Sequence, residues 1–572
     1  MGDPGQVYIN SKGLKQHQFD AIVVGSGISG GWAAKELCEK GLKTLVVERG
    51  RNVVHIKDYP TAFSAPWNFP HGMFNTIRED ENDPVSSQMY NPGNKLFYVS
   101  DKEHPYIQDD PFNWVRGYQV GGKSLVWGRQ CYRLSDLDLE ANLIDGHGVD
   151  WPVRYKDLEP WYNYVEEFTG ISGRSEGLSQ LPDGQFLPPM DMNCIEDYFA
   201  SNVTAHYKDR LVTPARVANL TRGWKGRGPC QYRNLCDRGC PFGGYFSSNA
   251  ATLPAAEASG NLSVVYDAVV REVIYDNQQK RATGVRIIDA HTKEVTEYFA
   301  KIIFLNASTI DTASILMRST SARFPDGLGN DSKQVGHNLM DHFIGAGATG
   351  DYEGMTDKYY YGRKPAGIYM PRFINLNNET SGKNYVRGWG YQGSGDRKNW
   401  ELLKNELPGF GKDFKEKLLK PGPWTLWMGG WGETLPYYDN GISFDESKKD
   451  DWGFPIVHIH FKYGDNEIAM KKDIQQTAVE MLEKTGFHNV IGFNYNLPPG
   501  SAVHEMGTVR MGRDRKTSVL NGFNQMHEVK NVFITDGSCM TSAACQNPSL
   551  TYMALTARAC DFAVNELKKG NI

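Results

Sequence analysis

The sequence lacks the features that mark membrane-spanning and nucleic-acid-binding chains. None of its apolar runs approaches the roughly 20 residues that cross a bilayer. The formal net charge of −5 provides no basic surface for nucleic acid. The start, Met1–Pro4, has neither the basic nor the apolar region of a secretory signal. We therefore expect no signal peptide of its own, and a location in the cytoplasm or in the periplasm through a partner that carries the export signal.

Cysteine is scarce and mostly scattered along the chain. The nine cysteines are odd in number, which argues against a disulfide framework. What the chain does have is length, with 572 residues of which 40% are hydrophobic. A chain of this length and composition is expected to form more than one domain, each with a sizeable core.

The N-terminal part of the chain contains two apolar runs separated by a helical pattern. Phe19–Val24 is a short, β-branched run that is typical of a buried strand, and Thr44–Glu48 predicts a second strand. The residues from Ile28 to Lys40 between them predict a helix. A strand, a helix and a second strand in this order indicate a parallel sheet.

A glycine-rich turn joins the first strand to the helix. Gly25-Ser26-Gly27-Ile28-Ser29-Gly30 matches the pattern G-x-G-x-x-G, in which the glycines permit a tight turn, a close approach of the backbone to a pyrophosphate, and close helix–strand packing. The N-terminus of the helix presents unpaired N–H groups to phosphates. Glu48 ends the second strand, where a carboxylate can accept hydrogen bonds from a ribose. These features together predict a dinucleotide site.

Three further segments carry a family resemblance. They are the loop Val120–Gly128 (VGGKSLVWG), the segment His504–Gly512 (HEMGTVRMG), and Asp536-Gly537-Ser538 followed by Asn547–Thr551 (NPSLT). With the glycine-rich turn, they make the sequence resemble the glucose–methanol–choline (GMC) oxidoreductases, which are FAD enzymes. The resemblance covers nearly the whole chain, and its segments occur in the family's order.

The resemblance implies an FAD site built from all four segments. Some relatives bind the flavin covalently through a histidine in the loop, whereas this loop has no histidine and carries Val126 before its tryptophan, so we predict non-covalent FAD. The residues expected to bind the cofactor are Gly25, Gly27, Ile28, Ser29, Gly30, Glu48, Arg49, Gly121, Gly122, Ser124, Val126, Trp127, Val269, Asp536, Gly537, Asn547, Pro548 and Thr551.

The resemblance also assigns the catalytic pair, His504 and Asn547. Oxidation of an alcohol requires hydride to leave carbon while a proton leaves oxygen, and an imidazole is suited to accept that proton because its pKa lies near neutrality. His504 takes this role by resemblance, and the amide of Asn547 holds the substrate hydroxyl. His458 and His460 alternate along a predicted strand and share one face, so we interpret them as structural residues or as part of the substrate wall.

The fold expected from the resemblance is an α/β fold of the GMC type. A Rossmann-like FAD-binding domain is predicted from four separate stretches, residues 1–60, 115–150, 225–335 and 498–572. An interleaved substrate domain, with a large antiparallel sheet and the active-site and interface loops, is predicted from residues 61–114, 151–224 and 336–497.

Three of the cysteines are not scattered. Cys230, Cys236 and Cys240 follow the spacing C-x5-C-x3-C-P, and thiolates gathered in this way ligate iron or zinc. No fourth ligand for zinc is near, since the nearest histidine is His206. The pattern resembles the catalytic subunits of the bacterial FAD-dependent sugar dehydrogenases, a GMC branch with a [3Fe–4S] cluster. Three structural thiols without a metal are the alternative.

The predicted function is an FAD-dependent dehydrogenase that oxidises a secondary hydroxyl of a glucopyranoside, with ring carbon 3 favoured. In this hypothesis electrons leave through the cluster to a c-type cytochrome or a quinone, and a small accessory or export subunit accompanies the chain. One alternative is a glucose 1-dehydrogenase or another sugar or polyol dehydrogenase of the family. Others are an oxygen-dependent sugar oxidase without a cluster, and a flavin-bearing electron-transfer subunit without substrate chemistry.

Overall fold

The computed structural model describes residues 17–358, 366–377, 380–398 and 407–572. The strands in these ranges are β1 Gln18–Val24, β2 Thr44–Val47, β3 Pro70–Met73, β4 Ile107–Gln108, β5 Thr213–Pro214, β6 Leu262–Val265, β7 Ala268–Asp276, β8 Arg281–Asp289, β9 Val295–Leu305, β10 His337–Met340, β11 Ala346–Tyr352, β12 Ile368–Met370, β13 Trp389–Arg397, β14 Trp424–Gly432, β15 Gly441–Lys449, β16 Pro455–His460, β17 His488–Asn494, β18 Met506–Thr508 and β19 Val532–Ile534. The α-helices are α1 Ile28–Glu39, α2 Ile77–Asn82, α3 Asp136–Leu139, α4 Ala141–Asp145, α5 Tyr155–Thr169, α6 Cys194–His206, α7 Thr252–Ala258, α8 Thr309–Arg318, α9 Gly411–Leu418, α10 Asp465–Lys484 and α11 Ser549–Lys569.

The first sheet has seven strands and contains the predicted β1–α1–β2 unit. Its order is β6-β2-β1-β9-β8-β7, with β19 on the second half of β9. The central pairs of β1 with β2 and β9 are parallel, whereas β7, β8 and the first half of β9 pair antiparallel. The apolar side chains of β1 and β2 are buried between helices, as their near-continuous hydrophobic runs predict. All seven strands come from the stretches predicted to form the FAD-binding domain.

The second sheet is the large antiparallel sheet that the resemblance implies. Its six strands follow the order β17-β11-β14-β13-β12-β5, and all come from stretches predicted for the substrate domain. The long helix α10 packs on one face, where Met470, Ile474 and Met481 are buried. This leaves the other face of β13 and β14 available to line a cavity.

A five-stranded sheet combines strands from both sets of predicted stretches. Its order is β18-β10-β15-β16-β4, and β18, from the last predicted FAD-domain stretch, pairs antiparallel with β10 from a predicted substrate-domain stretch. The pairing of Met340 with Met506 brings the residues after β10 opposite the residues before β18. The boundary between the two predicted sets therefore runs through this sheet.

Helix α5 connects the two sets of predicted stretches. It belongs to the stretch 151–224, which is predicted for the substrate domain, and it packs against α11, from the last stretch predicted for the FAD-binding domain. Tyr162 and Thr551 form a hydrogen bond of 2.9 Å between their hydroxyl groups, and the indole N–H of Trp151 donates to the Ser542 hydroxyl at 2.7 Å. The apolar face of α5 (Leu158, Tyr162, Val165) is buried here, because α11 offers a matching apolar face. No helix in the described part of the chain combines the length and apolar character that crossing a membrane requires.

Candidate active site

The glycine-rich turn has the geometry that its sequence predicts. Gly25 has a φ of +89°, and a Cβ there would lie 2.3 Å from the Asn306 carbonyl oxygen. A Cβ at Gly30 would lie 2.0 Å from the Gly25 carbonyl oxygen, so only glycine allows α1 to pack this closely on β1. At Gly27, which caps α1, a Cβ would meet nothing within 4 Å. The N-terminus of α1 therefore opens onto free space.

Glu48 follows β2 and is held beside this turn. One of its carboxylate oxygens accepts hydrogen bonds from the Ser26 N–H at 3.1 Å and the Ser26 hydroxyl at 2.5 Å, and the other accepts from the Gly50 N–H at 3.0 Å. Burial raises the pKa of Glu48 to about 7, although these hydrogen bonds act in the opposite direction. A carboxylate has four lone-pair sites, so acceptor capacity remains for a ribose hydroxyl.

The turn and Glu48 lie at the wall of a large cavity, of about 720 Å³. Three of the predicted cofactor residues do not line it: Gly30 and Gly121 support the turn from behind, and Thr551 is bonded to Tyr162. The other predicted cofactor residues line the cavity, namely Gly25, Gly27, Ile28, Ser29, Glu48, Arg49, Gly122, Ser124, Val126, Trp127, Val269, Asp536, Gly537, Asn547 and Pro548. Sequence motifs that are more than 400 residues apart thus meet at one cavity.

The cavity wall has polar atoms that suit a ligand such as FAD. Arg49 Nε, Glu505 Oε1 and the Tyr552 hydroxyl are buried, and none of them has a hydrogen-bond partner among the described residues. All three residues line the cavity. Because buried polar groups are normally hydrogen-bonded, these atoms indicate a polar ligand. The carboxylate of Asp536 is already bonded to the backbone N–H of Ser308 and Ser538, which fixes the wall near Gly537.

The catalytic candidate His504 is held by two consecutive residues that follow β10. The Asp341 carboxylate accepts hydrogen bonds from the backbone N–H of His504 at 3.0 Å and of Gly500 at 2.8 Å. The ring of His342 lies 2.8 Å from the ring of His504, measured between their Nδ1 atoms. Asp341 and His342 are fully buried. The loop and the ring of His504 are therefore both anchored by the β10–β18 pairing.

The hydrogen-bond partners of His342 determine which nitrogen of His504 is free. His342 Nε2 lies 2.8 Å from the Ala544 carbonyl oxygen, which can only accept, so this nitrogen carries the proton. Burial lowers the pKa of His342 to about 4, and its Nδ1 is therefore an unprotonated acceptor near neutral pH. His504 donates its Nδ1–H to that atom. The lone pair of His504 is consequently on Nε2, the nitrogen nearest Asn547.

Asn547 is oriented by a second chain of hydrogen bonds. Its Oδ1 accepts from Gln392 Nε2 at 2.7 Å, and Gln392 Oε1 accepts from Gln130 Nε2 at 2.7 Å. The Asn547 Nδ2 group therefore faces His504, with 3.4 Å between Nδ2 and Nε2. An amide donor and a basic nitrogen converge at one point of the cavity, which is the arrangement that binding and deprotonation of a hydroxyl require.

Burial also sets the protonation state of His504. Its pKa is well below the ordinary value of 6.5, first because of burial and further because His342 and Lys123 disfavour a positive charge. The ring is therefore neutral at physiological pH. A neutral imidazole with an unprotonated Nε2 can accept a proton, whereas an imidazolium could not.

The far wall of the cavity is formed by β13 and β14 of the six-stranded sheet. Gln392 and Ser394 alternate along β13, and Trp427 and Trp431 lie on β14 with Gly429 between them. Ser394 is directly opposite Trp427 in the antiparallel register. A Cβ at position 429 would lie 2.8 Å from the Trp427 ring, so the glycine leaves room for that indole. This wall combines aromatic faces with polar side chains.

The three cysteines do not line the cavity, but their segment contacts its wall. The Cys236 carbonyl oxygen accepts a hydrogen bond of 3.3 Å from Arg129, which lines the cavity, as does Asn234 of the segment itself. Backbone N–H groups of Tyr232 and Gly244 point at the sulfur atoms of Cys230 and Cys240, at 3.4 and 3.3 Å. The pKa of Cys230 is raised, first by burial and further by the charges of Cys236 and Cys240.

These contacts suit a cluster of iron and sulfide. Three partly buried thiols and N–H donors directed at sulfur are features of iron–sulfur ligation, where such hydrogen bonds tune the potential. Among the described residues, Cys230, Cys236 and Cys240 do not form a group whose ligand atoms all lie within 4.8 Å of one another. The three sulfurs therefore lack the close convergence that a single tetrahedral zinc ion requires.

Several functional candidates were missed by sequence reasoning. Asp341 and His342 follow a short strand, and only the register of β10 with β18 places them beside His504. Gln392 lies 155 residues from Asn547 in a stretch without a recognisable motif. The predicted His458 and His460 do share one face of β16, but neither residue lines the cavity.

The sequence matches family models and known proteins. Two models described as GMC oxidoreductase match residues 19–344 and 436–556. The chain is 27% identical to 2-methyl-1,2-propanediol dehydrogenase of Mycolicibacterium austroafricanum, covering 95% of each chain. It is 24% identical to the fructose dehydrogenase large subunit of Gluconobacter japonicus, covering 96% of this chain and 98% of that one.

The fold is similar to that of solved flavoenzymes. Pyridoxine 4-oxidase from Mesorbium loti aligns with a TM-score of 0.61 at 14% identity, over 96% of this chain and 99% of that one. The family match spans more than half of the residues and includes both the glycine-rich turn and the His504 segment. The chain therefore belongs to the GMC oxidoreductases, the FAD-dependent enzymes that oxidise CH–OH donors.

Proposed function

We propose that this enzyme is a dehydrogenase that oxidises a secondary hydroxyl of a glucopyranoside, with ring carbon 3 favoured. The observation that carries the proposal is one continuous cavity, which joins the dinucleotide turn, the His504–Asn547 pair and the aromatic and polar wall of β13 and β14.

His504 acts as the base in this proposal. Its unprotonated Nε2, which lies 3.4 Å from Asn547 Nδ2, accepts the proton of the substrate hydroxyl. The Asn547 Nδ2 group then donates a hydrogen bond to the hydroxyl oxygen and stabilises the negative charge that develops there. When bound, FAD would accept the hydride from the carbon that carries this hydroxyl. His342 keeps the proton of His504 on Nδ1, so that Nε2 remains available.

The wall of β13 and β14 supports a sugar or polyol substrate. Trp427 and Trp431 offer flat apolar faces, and Gln392 and Ser394 offer hydrogen-bonding groups beside them. A sugar ring has one apolar face and many hydroxyls, and such a mixed wall suits it. The names of the two relatives, a diol dehydrogenase and a fructose dehydrogenase, favour substrates with several hydroxyls. The preference for carbon 3 of a glucoside rests on the family resemblance.

The three thiolates hold a [3Fe–4S] cluster in this proposal. A bound cluster supplies a one-electron carrier between a two-electron donor and an external acceptor. The backbone N–H groups at Cys230 and Cys240 and the link from Cys236 through Arg129 to the cavity support this location. The related fructose dehydrogenase chain is named a large subunit. We propose a c-type cytochrome or a quinone as the acceptor, and a small partner that carries the export signal to the periplasm.

Anaerobic visible spectroscopy with methyl glucoside tests the function. We expect the flavin bands to bleach and leave a broad iron–sulfur absorption, because the blocked anomeric carbon forces oxidation elsewhere on the ring. Deuterium at carbon 3 should slow the bleaching severalfold, whereas deuterium at carbon 2 should leave the rate unchanged. Bleaching by free glucose alone would favour a glucose 1-dehydrogenase.

Two assays on the same preparation test the route of the electrons. Iron and acid-labile sulfide should be present at about three and four per chain, as a [3Fe–4S] cluster requires. Turnover in air should release little hydrogen peroxide. Peroxide release that matches substrate consumption, in protein without iron, would indicate the oxidase alternative.

A further inference from the structure

We propose that Asp109, His458 and His460 form a binding site for a Zn²⁺ ion on the face of the five-stranded sheet, where a carboxylate and two imidazole nitrogens converge. These ligand atoms all lie within 4.8 Å of one another. None of the three residues lines the substrate and cofactor cavity. The site is therefore additional to the oxidoreductase centre and does not depend on the proposed substrate.

The local fold brings the three side chains together. His458 and His460 are two residues apart on β16, so they point to the same side of the sheet. Strand β4 pairs parallel with β16, with His458 opposite Ile107 and Ile459 opposite Gln108. Asp109 follows directly, and its N–H donates to the Ile459 carbonyl oxygen at 3.2 Å. The backbone thus fixes Asp109 beside both histidines.

The donor atoms of the three side chains lie close together. His458 Nε2 lies 2.8 Å from Asp109 Oδ1, and His460 Nδ1 lies 2.5 Å from Asp109 Oδ2. The two imidazole rings are 4.3 Å apart between their centroids. A metal ion placed between these atoms replaces two hydrogen bonds by three coordinate bonds, and it requires both imidazoles to be neutral.

An outer partner is also present. The second ring nitrogen of His460, Nε2, lies 2.8 Å from the Ser443 hydroxyl on the neighbouring strand β15. When Nε2–H donates to that hydroxyl, the lone pair of His460 is on Nδ1 and points at Asp109. Metal-binding histidines normally have such a partner for the nitrogen that does not bind the metal.

The composition of the site selects the metal. Two imidazoles and one carboxylate suit late divalent transition metals and zinc, whereas Mg²⁺ and Ca²⁺ prefer oxygen ligands alone. The Asp109 side chain is 48% exposed and the histidines 27% and 33%, so water can complete the coordination. Asp439 lines the same surface depression as Asp109 and His460 and adds negative charge.

The position suggests a structural role for the ion. It joins residues that are about 350 apart in sequence, and the stretch that follows Asp109 reaches the cavity at Trp114–Tyr118. A metal that fixes Asp109 to β16 therefore also fixes the start of the segment that forms the cavity wall at Trp114–Tyr118. We expect Zn²⁺ to raise the unfolding temperature of the holoenzyme without being needed for hydride transfer.

Isothermal titration calorimetry of the EDTA-treated holoenzyme with Zn²⁺ tests the site. We expect one site per chain, with binding weakened at least about tenfold in His458→Ala and His460→Ala and about tenfold in Ser443→Ala. His291→Ala is the matched control, because His291 is an exposed histidine whose ring lies 3.7 Å from a single carboxylate, that of Asp267. Equal Zn²⁺ affinity in all of these proteins, or none in the wild type, would overturn the proposal.

Zinc K-edge X-ray absorption separates this site from the cysteine segment. Coordination by nitrogen and oxygen alone supports the histidine site. A shell of sulfur neighbours would place the ion at the three cysteines and contradict the proposal. Because all the substituted side chains are partly exposed, we expect the variants to fold, and circular dichroism with bound-flavin absorbance checks this.

Discussion

The catalytic pair and the three-cysteine segment both adjoin the cavity, but they are stabilised in different ways. His504 is partly buried and is bonded through its backbone to Asp341 and through its ring to His342, two residues that follow strand β10. Cys230 and Cys240 are partly exposed, and their sulfurs accept hydrogen bonds from backbone N–H groups within the same loop.

This difference determines what each region needs from a ligand. At His504, the Ala544 carbonyl oxygen fixes the proton of His342, which in turn fixes the proton of His504, so the base is prepared before any substrate arrives. At the cysteines, the charges of Cys236 and Cys240 raise the pKa of Cys230, so three thiolates would repel one another until a metal neutralises them. We expect the first region to keep its geometry without a cofactor and the second to depend on one.

Replacing the base is the strongest test of the preorganised region. We expect His504→Ala to slow flavin reduction by substrate about 10³-fold, since it removes the nitrogen that is placed beside Asn547 to accept the hydroxyl proton. Rapid-mixing spectroscopy measures this rate. His337→Ala is the control, because His337 lies on β10 and contacts the Tyr438 carbonyl oxygen instead of the cavity. Near-wild-type reduction in His504→Ala would remove the histidine from the mechanism.

The comparison also shows what the sequence could reveal. The β1–α1–β2 unit, the glycine-rich turn and the position of Glu48 follow from local patterns, because strand periodicity and glycine spacing are local properties, whereas Asp536 was identified by the family resemblance. The large antiparallel sheet followed from the family resemblance. The cysteine spacing, like the glycine-rich turn, could be seen in the sequence because its three residues lie within one loop.

The partners of His504 could not be predicted in this way. Asp341 and His342 are separated from it by more than 160 residues, and only the register between β10 and β18 makes them neighbours. The packing of α5 against α11 was not predicted either, because an apolar helical face does not specify which apolar face it meets. Long-range pairing is a property of the whole fold and leaves no local signal.

Removing the positioning residue should have the next largest effect. We expect His342→Leu to slow flavin reduction by about 10- to 100-fold, because the buried Nδ1–H of His504 then loses its acceptor and the proton moves to Nε2 in part of the molecules. His342→Asn offers an oxygen near the same position and should recover much of the rate. The Michaelis constant should change little in either variant.

Recovery of the rate in His342→Asn distinguishes a role of His342 in positioning His504 from a role in stabilising the fold. A purely structural role for His342 would leave the Leu and Asn variants equally slow, or would lower the bound flavin in both. Wild-type kcat/KM should remain high well below pH 6.5, since burial holds the pKa of His504 below that value and the base stays neutral. A sharp loss of activity near pH 6.5 would mean that His504 titrates normally.

Replacing a cysteine tests the region that we expect to depend on a cofactor, and it should affect a different step. We expect Cys236→Ser to lose iron and to reduce turnover with a one-electron acceptor about tenfold, while flavin reduction by substrate stays within about twofold of wild type. Iron analysis, rapid mixing and steady-state turnover measure the three quantities on one preparation. Cys194→Ser is the control, because Cys194 is a partly exposed thiol on α6, outside the segment. If both variants turn over at the wild-type rate and neither they nor the wild type contain iron, the three thiols are structural. The contrast between a preorganised base and a ligand-dependent loop then no longer holds.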